Sequence, residues 1–195
     1  MAKASSRALW KAKLEGKQTG TRTVLPGEIT VGRSFRGTLL GIDPSLRGTG
    51  LAILEFKPGD VPVLLHSETI RNARDVPVEY CLSAIFKRLC QLIEQYKLKT
   101  ASLEETIYVQ NYQTAMVLGA ARGAILTALS LHHLSIYQYA PLRIKQAVVG
   151  VGRASKEQMA RTVRGILRHG AQLAPDEADA AGAALCHAFT WKEET

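Results

Sequence analysis

Cysteine is scarce in this chain. Its 195 residues hold three, Cys81, Cys90 and Cys186. They are too few and too widely spaced for a disulfide framework or a zinc site. That pattern predicts buried thiols in a reducing compartment. The sequence also lacks an uninterrupted apolar run of roughly 18 residues, so no membrane-spanning helix is expected, and no membrane partner. No apolar stretch follows Met1, which predicts no secretory signal. Repeats and low-complexity tracts are missing as well. With 46% hydrophobic and 22% charged residues, the composition excludes a mostly disordered or collagen-like chain. A chain of this length can bury a substantial core without cross-links.

Acidic residues are the minority: 17 against 25 Lys and Arg, a net charge of +8. Such an excess points to a polyanionic partner, most often nucleic acid. The charge is unevenly placed. Residues 1–36 carry Lys3, Arg7, Lys11, Lys13, Lys17, Arg22, Arg33 and Arg36 against Glu15 and Glu28, a balance of +6. This stretch is rich in Ser, Thr and Gly and has no sustained periodicity. It predicts a basic, flexible N-terminal extension over 1–36, followed by one folded domain over 37–195. A basic, acid-poor start fits a bacterial cytoplasmic protein associated with the nucleoid; an organellar targeting segment is the lesser reading.

Periodicity supplies the elements. Leu39 to Asp43, Leu51 to Phe56 and Val61 to Ile70 read as three strands joined by turns at Pro44–Gly48 and Lys57–Asp60. Val78, Cys81, Leu82, Ile85, Leu89, Leu92 and Tyr96 form one helical stripe. Thr100 to Leu103 and Leu134 to Tyr139 read as strands, separated by a helix from about Tyr112 to His132 that Asn111 can cap. Pro141 opens a short helix to Val149. Ser155 with Gln158 is a capping box for a helix to about Arg168. A last helix runs from about Pro175 to Phe189. The order predicts an α/β domain, a mixed five-stranded sheet flanked by helices.

Three sets of carboxylates sit at informative places. Asp43 closes the first strand. Glu104 and Glu105 follow another buried strand, and adjacent strand residues face opposite ways, so only one of them can share a face with Asp43. Asp176 and Asp179 lie three apart, on one face of the last helix. Beyond them Ala180, Ala181, Gly182, Ala183 and Ala184 make a small apolar surface that should pack closely on the sheet. Acids at two strand ends and one helix start can meet at one rim of the sheet. Clustered carboxylates raise one another's pKa, and a divalent cation relieves the repulsion. Oxygen-only ligands favour Mg2+, with Mn2+ able to substitute. Two such ions form the phosphodiesterase arrangement, one activating water and the other steadying the leaving oxygen.

These residues resemble the RuvC family of crossover junction endodeoxyribonucleases over roughly Leu39 to Phe189. Gly41-Ile42-Asp43-Pro44 with Arg47, Thr49 and Gly50 is similar to the family's opening motif. Leu103-Glu104-Glu105 is similar to its second acidic strand. Counting back without a gap from Asn111 and Gly119-Ala120-Ala121-Arg122-Gly123 places the catalytic acid at Glu104. Ile144-Lys145-Gln146-Ala147-Val148-Val149-Gly150-Val151-Gly152 and Ala154-Ser155-Lys156 match a further run, and Asp176-Glu177-Ala178-Asp179-Ala180 the closing one. The resemblance implies a ribonuclease-H-like fold, a homodimer, and two Mg2+ per active site held by Asp43, Glu104, Asp176 and Asp179. Paired symmetric nicks in four-way (Holliday) junction DNA, during recombination and repair, are the implied activity. Lys145 and Lys156 fall at catalytic positions near the scissile phosphate or DNA backbone. Arg122 falls at a position for DNA or dimer contact. A branch-migration motor complex is the implied further partner.

Two departures stand out. Ser45 replaces the usual glycine after Asp-Pro. Ile107, followed by Tyr108, replaces the aromatic that sits three residues after the second acid. Ile107 or Tyr108 is expected either to insert at the junction centre or to sit as an apolar loop residue in the dimer interface. These changes leave room for a nuclease of the same fold with looser branch preference. A non-catalytic junction-binding scaffold is the remaining reading, and the intact set of acids speaks against it.

Overall fold

A computed structural model of the chain describes residues 35–105, 111–170 and 172–191. Five strands form one sheet in the order β3-β2-β1-β4-β5, with β1 at Gly37–Asp43, β2 at Gly48–Phe56, β3 at Val63–Arg71, β4 at Thr100–Glu104 and β5 at Ser135–Tyr139. Short turns make β1, β2 and β3 an antiparallel meander. Helical crossovers make β4 parallel to β1 and β5 parallel to β4, as parallel pairing requires. The helices are α1 (Val78–Tyr96), α2 (Tyr112–Leu131), α3 (Pro141–Val149), α4 (Lys156–Leu167) and α5 (Pro175–Thr190).

Alternation along the strands builds two cores. Leu40, Ile42, Leu51, Ile53, Ala101 and Leu103 face α1 and α2. Leu39, Ala52 and Leu54 face the side of α3, α4 and α5. Each fully buried Leu or Ile contributes roughly 1.5–3 kcal/mol against exposure. Residues 180 to 184 of α5 are all buried. Asn111 caps α2 through the Thr114 amide at 3.1 Å, and Ser155 with Gln158 completes the capping box of α4.

Two points differ from expectation. Phe35 falls within the span expected for the extension, yet it is buried. Its ring meets Phe56, His187 and Trp191 edge-on. The rest of the expected extension except Arg36 lies outside the described residues. Second, α2 is by length and composition apolar enough to cross a bilayer. A search for an uninterrupted run overlooks it because Arg122 breaks the run. Ala121, Ile125, Ala128 and Leu129 of this helix are buried in the core shared with α1. Its other face leaves Tyr112, Met116 and Leu131 exposed.

Candidate active site

Asp43 is the last residue of β1 and Glu104 the last of β4. Ile42 pairs with Leu103 in the parallel ladder, so the two acids end neighbouring strands side by side. The face follows from parity. Ser102 donates from Oγ to the Ala183 carbonyl of α5 at 2.7 Å, and Glu104 shares that face. Glu105 has the opposite parity and is exposed; its amide donates to the Tyr139 carbonyl at 2.8 Å. Gly41 and Asp43 occupy the α5 face too, because a Cβ on Gly41 would strike the Ala180 carbonyl and reach Ala184 Cβ.

The helix brings the other two acids. A Cβ on Gly50 would collide with the Asp176 carbonyl. One on Gly48 would lie 3.2 Å from Asp176 Oδ2. Helix α5 therefore starts directly over the β1–β2 turn. Asp176 sits in its first turn, where a carboxylate meets the positive end of the dipole. Asp179 is one turn on and receives Lys156 Nζ at 3.2 Å. Glu177 points elsewhere and accepts from Ser67 Oγ at 2.9 Å.

The electrostatics register the crowding. Burial, followed by the charges of Glu104, Asp179 and Asp176, pushes Asp43 up from 3.8 to about 7, with Lys156 opposing. Burial and Asp179 also raise Glu104 against the pull of Lys156 and Lys145. Asp179 in turn raises the Lys156 ammonium. Among the described residues no three Asp, Glu, His or Cys side chains yet stand in metal-holding geometry. The donor set nevertheless fits a hard divalent cation: it offers oxygens only, and its shared excess of negative charge disfavours ionising Asp43 without a counterion.

The turn after Asp43 is braced. Thr49 Oγ1 donates to the carbonyl of Ser45, the residue that departs from the family's glycine. Asn72 Nδ2 donates to Leu46 O at 2.8 Å, and Arg47 Nη1 to Val76 O at 2.9 Å. Asn72 carried no sequence signal, because its partner is 26 residues away. Arg122, expected at DNA or the dimer contact, donates from Nη1 to the Glu104 carbonyl at 2.9 Å and from Nη2 to Gln138 Oε1. Lys145 is half-buried on α3. Ile107 and Tyr108 lie outside the described residues. His187 is fully buried, shares a 2.8 Å hydrogen bond with Tyr139 and is drawn down to about 4 by burial. It stands eight residues beyond Asp179, about 12 Å along the axis, and takes no part in the acid cluster.

A mixed sheet of this order, with acids ending its first and fourth strands and opening its last helix, defines a ribonuclease-H-like nuclease fold. The pattern described as crossover junction endodeoxyribonuclease RuvC matches residues 39–187. The crossover junction endodeoxyribonuclease RuvC of Halorhodospira halophila is 43% identical over 150 residues, 77% of this chain and 89% of its own. That of Nitrosomonas eutropha is 38% identical over 157 residues, 80% of this chain and 86% of its own. The structure described as T. thermophilus RuvC in complex with Holliday junction substrate superposes with a TM-score of 0.75 at 32% identity, covering 79% of this chain and 94% of that one. The chain belongs to the RuvC family, whose nucleases are metal-dependent.

Proposed function

We propose that this protein is a divalent-cation-dependent endodeoxyribonuclease that resolves four-way DNA junctions by paired symmetric nicks in recombination and repair. The observation that carries the reading is the convergence of Asp43, Glu104, Asp176 and Asp179 from two strand ends and one helix start. These carboxylates would hold two Mg2+, or Mn2+ in their place. When bound, the cations lower the cost of forming the attacking hydroxide and of expelling the 3′ oxygen. The P–O bond to water forms as the P–O3′ bond breaks, leaving a 5′ phosphate and a 3′ hydroxyl.

The chain's own groups do the rest. Asp43 releases the proton it otherwise keeps up to about pH 7. Lys156, paired with Asp179, turns towards the phosphate once that carboxylate is engaged. Lys145 adds positive charge on the Glu104 side. Both lysines stabilise charge growing on the phosphoryl oxygens.

Homodimerisation through the open face of α2 is supported by Tyr112, Met116 and Leu131, which are 76%, 59% and 63% exposed. A two-fold protein matches a two-fold junction. A branch-migration motor is the proposed further partner. The compartment we propose is the bacterial cytoplasm, at the nucleoid.

Asp43→Asn tests the mechanism. Mg2+-dependent nicking should vanish while junction binding persists; equal turnover in the variant would refute the assignment. A panel of four-way junctions, forks, flaps and linear duplex tests the substrate. Preferential cutting of flaps would favour a nuclease of looser branch preference.

A further inference from the structure

Beside the acids lies a groove of about 380 Å³ between α4 and the segment leading into α5. Its existence follows from how α4 packs. Met159, Val163 and Leu167 form the buried stripe of that helix. The adjoining stripe turns Lys156, Arg161 and Arg164 into the groove. The opposite wall is Leu173 and Ala178, ending at Asp179. Arg161 and Arg164 are exposed, and among the described residues neither forms an ion pair. Glu157 is the groove's other acid, and its carboxylate accepts from Ser155 Oγ at 2.6 Å, turned to its own helix cap.

The spacing suits a nucleic acid strand. Arg161 and Arg164 follow Lys156 by five and eight residues, about 7.5 and 12 Å along the helix axis. Phosphates of one DNA strand advance about 3.4 Å each along the duplex axis. A groove that begins at Asp179 and carries guanidinium groups at those distances reaches phosphates a few nucleotides from the acids. Guanidinium is the side-chain group that grips phosphate with two parallel hydrogen bonds. Leu173 and Ala178 on the facing wall carry no charge and suit the deoxyribose between phosphates.

We infer that this groove holds the phosphodiester backbone of the cleaved strand next to the scissile phosphate, with Arg161 and Arg164 as its phosphate ligands. The inference rests on the nuclease reading above and adds a binding surface outside the acid cluster.

The test uses the full chain carrying Asp43→Asn, with and without Arg161→Gln and Arg164→Gln. The double change should weaken junction affinity about tenfold and reduce the salt slope by about 0.9 for each phosphate no longer neutralised. Junctions with a single neutral methylphosphonate, moved stepwise to either side of the cut, locate the phosphates held. At one or two positions neutralisation should cost the Asp43→Asn protein affinity but leave the triple variant indifferent. Unchanged slope together with additive losses at every position would overturn the inference. An Asp43→Asn protein that fails to bind the junction would overturn the nuclease reading and this inference with it.

Discussion

Arg122 donates from Nη1 to the backbone carbonyl of Glu104 at 2.9 Å, joining α2 to the end of the strand that carries one of the four clustered acids. The same guanidinium holds Gln138 on β5. Arg122 is therefore a positioning residue for Glu104, and Arg122→Ala should lower stability by about 1.5–3 kcal/mol, the range for a hydrogen bond to a charged group. Single-turnover cleavage should slow by about tenfold or more while junction affinity at fixed salt changes little. Arg122→Lys should recover only part of the rate, because an ammonium cannot span two planar acceptors. A variant that loses affinity at an unchanged cleavage rate would return Arg122 to the DNA surface.

Gly50 is the seat of α5. Any side chain there meets the Asp176 carbonyl, so Gly50→Ala must lift the first turn of the helix and carry Asp176 and Asp179 with it. Overpacking of this kind costs typically 1–3 kcal/mol, and cleavage should fall further than stability does. Gly119→Ala is the control. Its Cβ has open space and a helical backbone, so alanine should be neutral or stabilising by up to about 1 kcal/mol in the protomer. Equal losses in both variants would contradict the close approach of α5.

Cation binding should depend on pH through Asp43. Its carboxyl keeps a proton up to about pH 7 in the cation-free protein. Below that pH cation binding must displace this one proton, and Mg2+ affinity should fall about tenfold per pH unit. The folding linkage has the same origin. Between 3.8 and about 7 the unfolded chain has ionised this group and the folded chain has not. Cation-free stability should therefore decline as pH rises through that window. Melting temperatures with and without Asp43→Asn test the sign, since the variant should lack this part of the slope.

The basic extension calls for a deletion that stops at residue 34, because Phe35 packs into the folded body. If the basic side chains of residues 1–34 touch phosphates, their removal should weaken DNA binding and flatten its salt dependence by about 0.9 per phosphate. An unchanged slope would assign the segment to targeting or to no DNA role.

Much of this molecule is local and was readable as such. Strand alternation, the stripe of α1, the Asn111 and Ser155 caps and the Pro141 and Pro175 helix starts all depend on neighbours within a few residues. Their edges in the structure lie within three residues of those the pattern predicts. The four acids were visible for the same reason, since each follows an apolar run or opens a helix. Alternation alone leaves Glu104 and Glu105 equivalent. The choice comes from the register of β4 against β1 and from Ser102 bonding to Ala183 across 81 residues. The bracing by Arg122 and Asn72, the seating of α5 on Gly41 and Gly50, and the groove along α4 also join segments far apart in the chain. The amino-acid order by itself determined which elements form and which side chains carry charge. Only the packing of α5 and α2 on the sheet decided which of those charges face one another, because that depends on register and close approach that no local pattern contains.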